Sequence, residues 1–178
     1  LLVNLTLFTL IFATPIYLVY ALILKLLKKR TDWKLSICFI EFIFCCYFVN
    51  LLRLTGMFNI CLSNFSDSHA SPNIVPIINT LKEVMDYGFY VLKQVCLNIL
   101  LFVPFGLLVG LIKQSGRNIL IASLIISVTI EALQYYNGRF ADIDDVIWNV
   151  SGALIGYLIY LSYQKIKHLL MIPKAATN

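Results

Sequence analysis

Charge is what this sequence has least of. Charged residues fill 13% of its 178 positions, and no polar stretch is long enough to fold alone. A chain of this length cannot bury a composition that is 60% hydrophobic, so a water-soluble domain is excluded, whether alone or appended. Of the five cysteines, Cys38, Cys45 and Cys46 share one apolar run and Cys96 lies in another, which leaves Cys61 alone in a polar loop. There is no CxxC and no Cys/His ligand spacing, so a disulfide framework and a zinc site are both excluded. All five read as small apolar residues of a membrane interior. Histidine occurs twice, at His69 and His168, and neither has a ligand-spaced partner; His69 reads as a solvated loop residue. No basic residue precedes the first apolar run, and "KLLKKR" follows it, which is the wrong order for a secretory signal. Position 1 is not Met, and the true N-terminus is expected upstream.

What the sequence has instead is apolar runs near the roughly 20 residues that cross a bilayer. Five spans are predicted, at about 3–24, 35–53, 91–112, 118–136 and 146–163, which makes an all-α polytopic bundle. Basic residues then orient it. Lys25, Lys28, Lys29, Arg30, Lys34, Lys113, Arg117, Lys165, Lys167 and Lys174 fall in one set of connections. Only Arg53, Lys82, Lys93 and Arg139 fall in the other. This asymmetry predicts an N-terminus outside and a cytoplasmic C-terminus. It also explains the formal charge of +5, which in a soluble protein would point to nucleic acid; no nucleic-acid partner is expected.

The chain divides into two N-terminal spans (1–56), an outward loop (57–90), a three-span core (91–163) and a basic cytoplasmic tail (164–178). In the loop, Pro72 and Pro76 rule out a helix interior around "SPNIVPI", and "NTLKEVMDYGFYVL" suggests an interfacial helix capped by Asn79.

Acid gathers in "EALQYYNGRFADIDDVIWNVSG", residues 131–152. Residues three and four apart share a helix face, which aligns Ser123, Ser127, Glu131 and Gln134 in the fourth span. The same rule aligns Asp145, Asn149, Gly152 and Gly156 in the fifth. At 1.5 Å per residue, Glu131 lies roughly 8 Å and Asn98 roughly 10 Å below the outer edge, so the polar groups share a depth. Gly106 with Gly110, and Gly152 with Gly156, form G-x-x-x-G pairs that let helix backbones approach closely and turn Asn149 and Asp145 inward. Pro104 is expected to kink its span and open a cavity at its level.

A bland account exists for some of these residues. Asp142, Asp144 and Asp145 suit a helix N-terminus, and Gln134 and Asn149 suit interhelical hydrogen bonds. Glu131 is harder to dismiss, because a carboxylate within a span is costly and tends to have a partner and a role; Arg139 is the expected partner. Glu41, nearer the cytoplasmic end of the second span, reads as a snorkelling or protonated carboxyl.

These segments resemble the VanZ-like membrane proteins. The resemblance runs through "NIVPI" at 73–77, "NILLFVPFGLLVG" at 98–110 and "TIEALQYYNGRFADIDDVIWNVSGALIGY" at 129–157, about half the chain; the first two spans share only hydrophobicity and "LTG" at 54–56. It implies a multi-pass protein of a bacterial plasma membrane, in a family whose founding member lowers teicoplanin sensitivity without remodelling the D-Ala-D-Ala target. It also implies characteristic polar positions at Asn98, Glu131, Gln134, Arg139, Asp142, Asp145 and Asn149.

Three functions are compatible with this reading. A binding module would engage membrane lipids, a lipid-linked wall precursor or a lipoglycopeptide through those seven residues, with Arg139 on a phosphate oxygen. An enzyme would use Glu131 as acid or base, with Asp142 and Asp145 holding a divalent cation. A scaffold would dock another membrane protein on the glycine faces. No nucleophile with an adjacent base is present, and no cofactor is predicted.

Overall fold

A computed structural model describes residues 2–27, 34–56, 71–112, 115–136 and 138–171. Cys61, His69 and the basic cluster at 28–30 lie outside these residues. The described part is all helical: α1 (Leu2–Leu26), α2 (Leu35–Leu54), α3 (Ile78–Tyr87), α4 (Phe89–Leu111), α5 (Gly116–Tyr136) and α6 (Ile143–Met171). Five of them, all but α3, are long and apolar enough to cross a membrane. Most of their surface is exposed apolar side chain, such as Ile11 at 60% and Leu100 at 62%, as expected of helices solvated by lipid rather than by water.

The bundle is built around α4 and α6, which share the most extensive contact, with α5 against α6 and α2 against α4. Leu51, Phe102, Phe105, Ile119, Ile130 and Ala153 form the buried core. At three points of the α4–α6 seam, Gly106, Gly152 and Gly156, a glycine faces the backbone of the other helix. A Cβ on Gly106 would stand 1.8 Å from the Ala153 carbonyl oxygen, and one on Gly156 would stand 2.0 Å from that of Val103. The glycine pairs therefore pack within the chain, and those faces are spent before any partner arrives. Helix α1 touches the rest through α2. Glu41 is only 7% exposed and lines an apolar cavity of about 260 Å³ with Ile16, Tyr20 and Phe44, so it is buried rather than snorkelling.

Two boundaries differ from expectation. The last span continues as helix to Met171, because nothing between Ser162 and Met171 breaks it. Its 29 residues extend about 44 Å, well beyond a hydrocarbon core of roughly 30 Å, and every residue from Leu161 to Met171 is exposed. The interfacial helix begins at Ile78, not after an Asn79 cap, and is cut from α4 by Gly88 at φ +53°. Its N-terminus is capped from another helix instead.

Candidate functional site

The polar residues collect at the end of the bundle where α2 and α5 finish and α4 and α6 begin. Asp142 precedes the first turn of α6, and its Oδ1 accepts the Asp144 N–H at 2.9 Å, an N-cap geometry. Glu131, near the end of α5, reaches the same turn: its Oε2 accepts the Asp142 N–H at 3.0 Å. Glu131 is thus held by backbone across the α5–α6 loop. The expected ion pair with Arg139 does not form. Gly138, at φ +73°, turns the chain so that Arg139 Nη1 points to the Thr55 carbonyl oxygen at 3.5 Å. Gln134 Nε2 donates to the same carbonyl at 3.0 Å. Together they tie the last turn of α2 to the end of α5, which gives the "LTG" stretch at 54–56 a structural task.

A second set of contacts fastens a strap, residues 71–77, across the start of α6. Asn73 donates its backbone N–H to the Ala141 carbonyl at 2.9 Å and its side-chain Nδ2 to Asp142 Oδ1 at 2.8 Å; its carbonyl accepts the Ile143 N–H at 3.1 Å. Asp144, 1% exposed, then caps α3 from outside. Its Oδ1 accepts the Ile77 N–H at 2.6 Å, and its Oδ2 accepts the Thr80 hydroxyl. Ile77 sits at φ +65°, a conformation that β-branched residues avoid, so this clamp holds strain in place.

Six of the seven predicted site residues line one cavity of about 250 Å³: Asn98, Glu131, Gln134, Arg139, Asp145 and Asn149. Thr55 and Gln94 complete its polar wall. It begins at the level of Leu101, one turn nearer the strap than Pro104, whose level was expected to hold it. There the Tyr47 hydroxyl donates to the Leu101 carbonyl at 2.7 Å. Asn98 Nδ2 donates to Asp145 Oδ1 at 2.5 Å, and Asn149 Nδ2 to Ser127 Oγ at 2.9 Å. Asp142 is the exception. It lies under the strap, beside a separate, mostly apolar cavity of about 340 Å³ that also includes Ile74, Tyr135 and Val146. Glu131 forms the wall between the two cavities.

Asn73, Thr55 and Asp144 were not singled out from sequence. The first two stood inside quoted motifs, and the third looked like an ordinary acidic first turn. Among the described residues no group of three or more His, Cys, Asp or Glu converges as a metal site. Asp142 and Asp145 line different cavities. His168 is roughly 35 Å along α6 from Asp145.

Burial raises the Asp142 pKa above its ordinary value, as does the nearby Asp144 charge, while the Asp144 N–H and the Asn73 amide oppose the shift. A folded value above the unfolded one means the native state holds the proton more tightly. The resulting stability is present below the unfolded pKa and is lost as pH rises through the folded one. Asp142→Asn keeps an acceptor for the Asp144 N–H and removes that loss. It is expected to melt at or above wild type at pH 7 in detergent, with the difference shrinking toward pH 4. A lower melting temperature at both pH values would refute this account.

A family model, VanZ/LLP1, matches residues 15–166 of the chain. No curated protein and no solved structure matches it.

Proposed function

The chain belongs to the VanZ/LLP1 family, and we propose that its polar cavity binds the head group of a cell-envelope amphiphile. The candidates are a lipid-linked wall precursor and an acyl-bearing glycopeptide of the teicoplanin type, in a bacterial plasma membrane. The observation that carries this reading is the convergence of Asn98, Glu131, Gln134, Arg139, Asp145 and Asn149 on one cavity beside lipid-facing helices. Such a site suits a ligand with one polar end and one greasy end. Arg139, more than a third exposed and without an ion-pair partner among the described residues, is available to a phosphate oxygen. The excess of basic residues at the opposite end supports an outward-facing cavity.

Binding is favoured over turnover by the lining itself. Among the described residues no serine, cysteine or histidine lines the cavity, and the one hydroxyl among them, on Thr55, donates to the Leu51 carbonyl at 2.9 Å. The spent glycine faces argue against a scaffold that docks through them.

The test is teicoplanin susceptibility of a sensitive Gram-positive host expressing wild type, Glu131→Gln or Arg139→Ala, with membrane levels matched by immunoblot. Wild type is expected to raise the inhibitory concentration, Glu131→Gln to abolish the protection, and Arg139→Ala to reduce it in part. Equal protection by all three would remove the cavity from the function.

A further inference from the structure

The cavity has a chemical sign that its residue list hides. Asn98 turns its amide nitrogen to the Asp145 carboxylate, and Gln134 turns its own to the Thr55 carbonyl. Both acceptors demand a donor, so these two amide orientations are fixed by chemistry. Asn149 directs its nitrogen to Ser127 Oγ. Each of the three amides thereby leaves its oxygen without a partner among the described residues, and Asn149 Oδ1 is fully buried in a residue only 4% exposed. Glu131, 7% exposed, spends Oε2 on the Asp142 N–H and leaves Oε1 unpartnered; Asp145 spends Oδ1 on Asn98 and leaves Oδ2. The residues that keep these unpartnered oxygens, Glu131, Asp145, Asn98, Gln134 and the buried Asn149, all belong to the wall of one cavity, and among the described residues Arg139 is the one cation in that wall.

We propose that this oxygen-lined cavity takes a primary ammonium group carried by an amphiphile, with Arg139 at its edge beside the neighbouring phosphate or carboxylate. The inference rests on the head-group reading above and names the group recognised. A sugar hydroxyl fits less well, because each hydroxyl brings lone pairs that need donors, whereas an ammonium brings three donors and no acceptor. A bare divalent ion fits less well too. It requires six to eight oxygens closed around it at about 2.3–2.6 Å, and a cavity of about 250 Å³ has room for an organic group of several heavy atoms. The two carboxylates supply the charge that makes burying an ammonium tolerable.

The full chain, purified in maltoside micelles, would be titrated calorimetrically with soluble short-chain phosphatidylethanolamine, phosphatidylcholine and phosphatidylglycerol. N-dodecanoyl-lysine amide, its Nε-acetyl derivative and calcium chloride would be titrated alongside. The ethanolamine lipid is expected to bind at least about tenfold tighter than the choline lipid, whose trimethylammonium has no donors. The acyl-lysine amide is expected to bind and its acetylated form to fail. Binding of both amines shows that the ammonium suffices; binding of the ethanolamine lipid alone shows that the phosphate is needed too. Glu131→Gln and Asp145→Asn, which keep their structural hydrogen bonds, are each expected to weaken the amines about tenfold or more. Equal binding of the glycerol lipid would overturn the ammonium assignment and leave a head-group site. Saturable binding of calcium with no preference among lipids would overturn it in favour of a metal. If wild type binds none of the probes, the head-group reading falls, and this inference falls with it.

Discussion

Gly106→Ala is expected to separate α4 from α6 and to remove most of the folded protein from a detergent extract. The added methyl would lie 1.8 Å from the Ala153 carbonyl oxygen, 2.7 Å from its carbon and 2.9 Å from the Tyr157 nitrogen. All three are backbone atoms of the facing helix, so no rotamer change relieves the clash. One helix must move by more than an ångström, and the displacement extends along a seam where a Cβ on Gly152 would likewise stand 2.1 Å from the Ile99 carbonyl oxygen. Overpacking a core costs about 1–3 kcal/mol when side chains can yield, and a backbone clash belongs at or beyond the upper end. The control is one turn away. A Cβ on Gly110 would meet the Tyr160 side chain, its ring carbons at 2.8 Å and its Cβ at 3.1 Å, where the nearest atoms are side chain and not backbone. Gly110→Ala is therefore expected to cost less than Gly106→Ala, within the range of about 1–3 kcal/mol. Fluorescence-detected size exclusion after a heating series reads both. Equal melting of the two variants would mean the seam is looser than described. A Gly106→Ala protein that stays folded yet loses function would revive docking through the glycine face.

The seam and the spans were legible because each is written in local sequence. A run of apolar residues needs no partner to announce a span, and glycines four apart name the face on which another backbone must lie. The helix rule likewise brought Glu131, Gln134, Asp145 and Asn149 to a common level, and depth added Asn98. What the sequence could not disclose depends on chain brought in from far away. Asp142 and Asp144 are two residues apart in the same acidic run. Which of them borders a cavity and which is buried is decided by the strap and the start of α3, 64 to 69 residues earlier. Arg139 looked like the partner of Glu131 because it is near in sequence. The positive φ of Gly138 sends it to α2 instead, and the backbone of Asp142 takes the carboxylate. The end of the last helix was missed for a different reason: hydropathy reports where lipid stops, not where hydrogen bonding stops.

Asp144→Ala is expected to free the strap and α3 while leaving the helical seam intact. The carboxylate is 1% exposed, and its oxygens accept the Ile77 N–H and the Thr80 hydroxyl. With it gone, those two donors lose their acceptor, at about 1–3 kcal/mol for each that finds no replacement. Helix α3 also loses the carboxylate that anchors its N-terminal end, where Ile77 makes no side-chain capping bond. Ile77 at φ +65° then loses the bond on its N–H, keeps only the Leu81 N–H on its carbonyl at 2.9 Å, and is freer to relax toward the β region. Hydrogen exchange should rise in residues 73–87 by about two orders of magnitude, the equivalent of roughly 3 kcal/mol, with α4 and α6 still protected. Asp144→Asn, which keeps one acceptor oxygen, should fall between the two proteins. Asn73 and Ile74 also wall the apolar cavity that meets Glu131, so loosening the strap opens that side of the carboxylate. Protection against teicoplanin should then fall in Asp144→Ala, but by less than in Glu131→Gln, because the oxygens of the polar cavity remain in place. Unchanged exchange in residues 73–87 would show that Asn73 alone holds the strap. A collapse of protection across α4 and α6 would show that the strap and the seam form one cooperative unit, with Asp144 as part of its core.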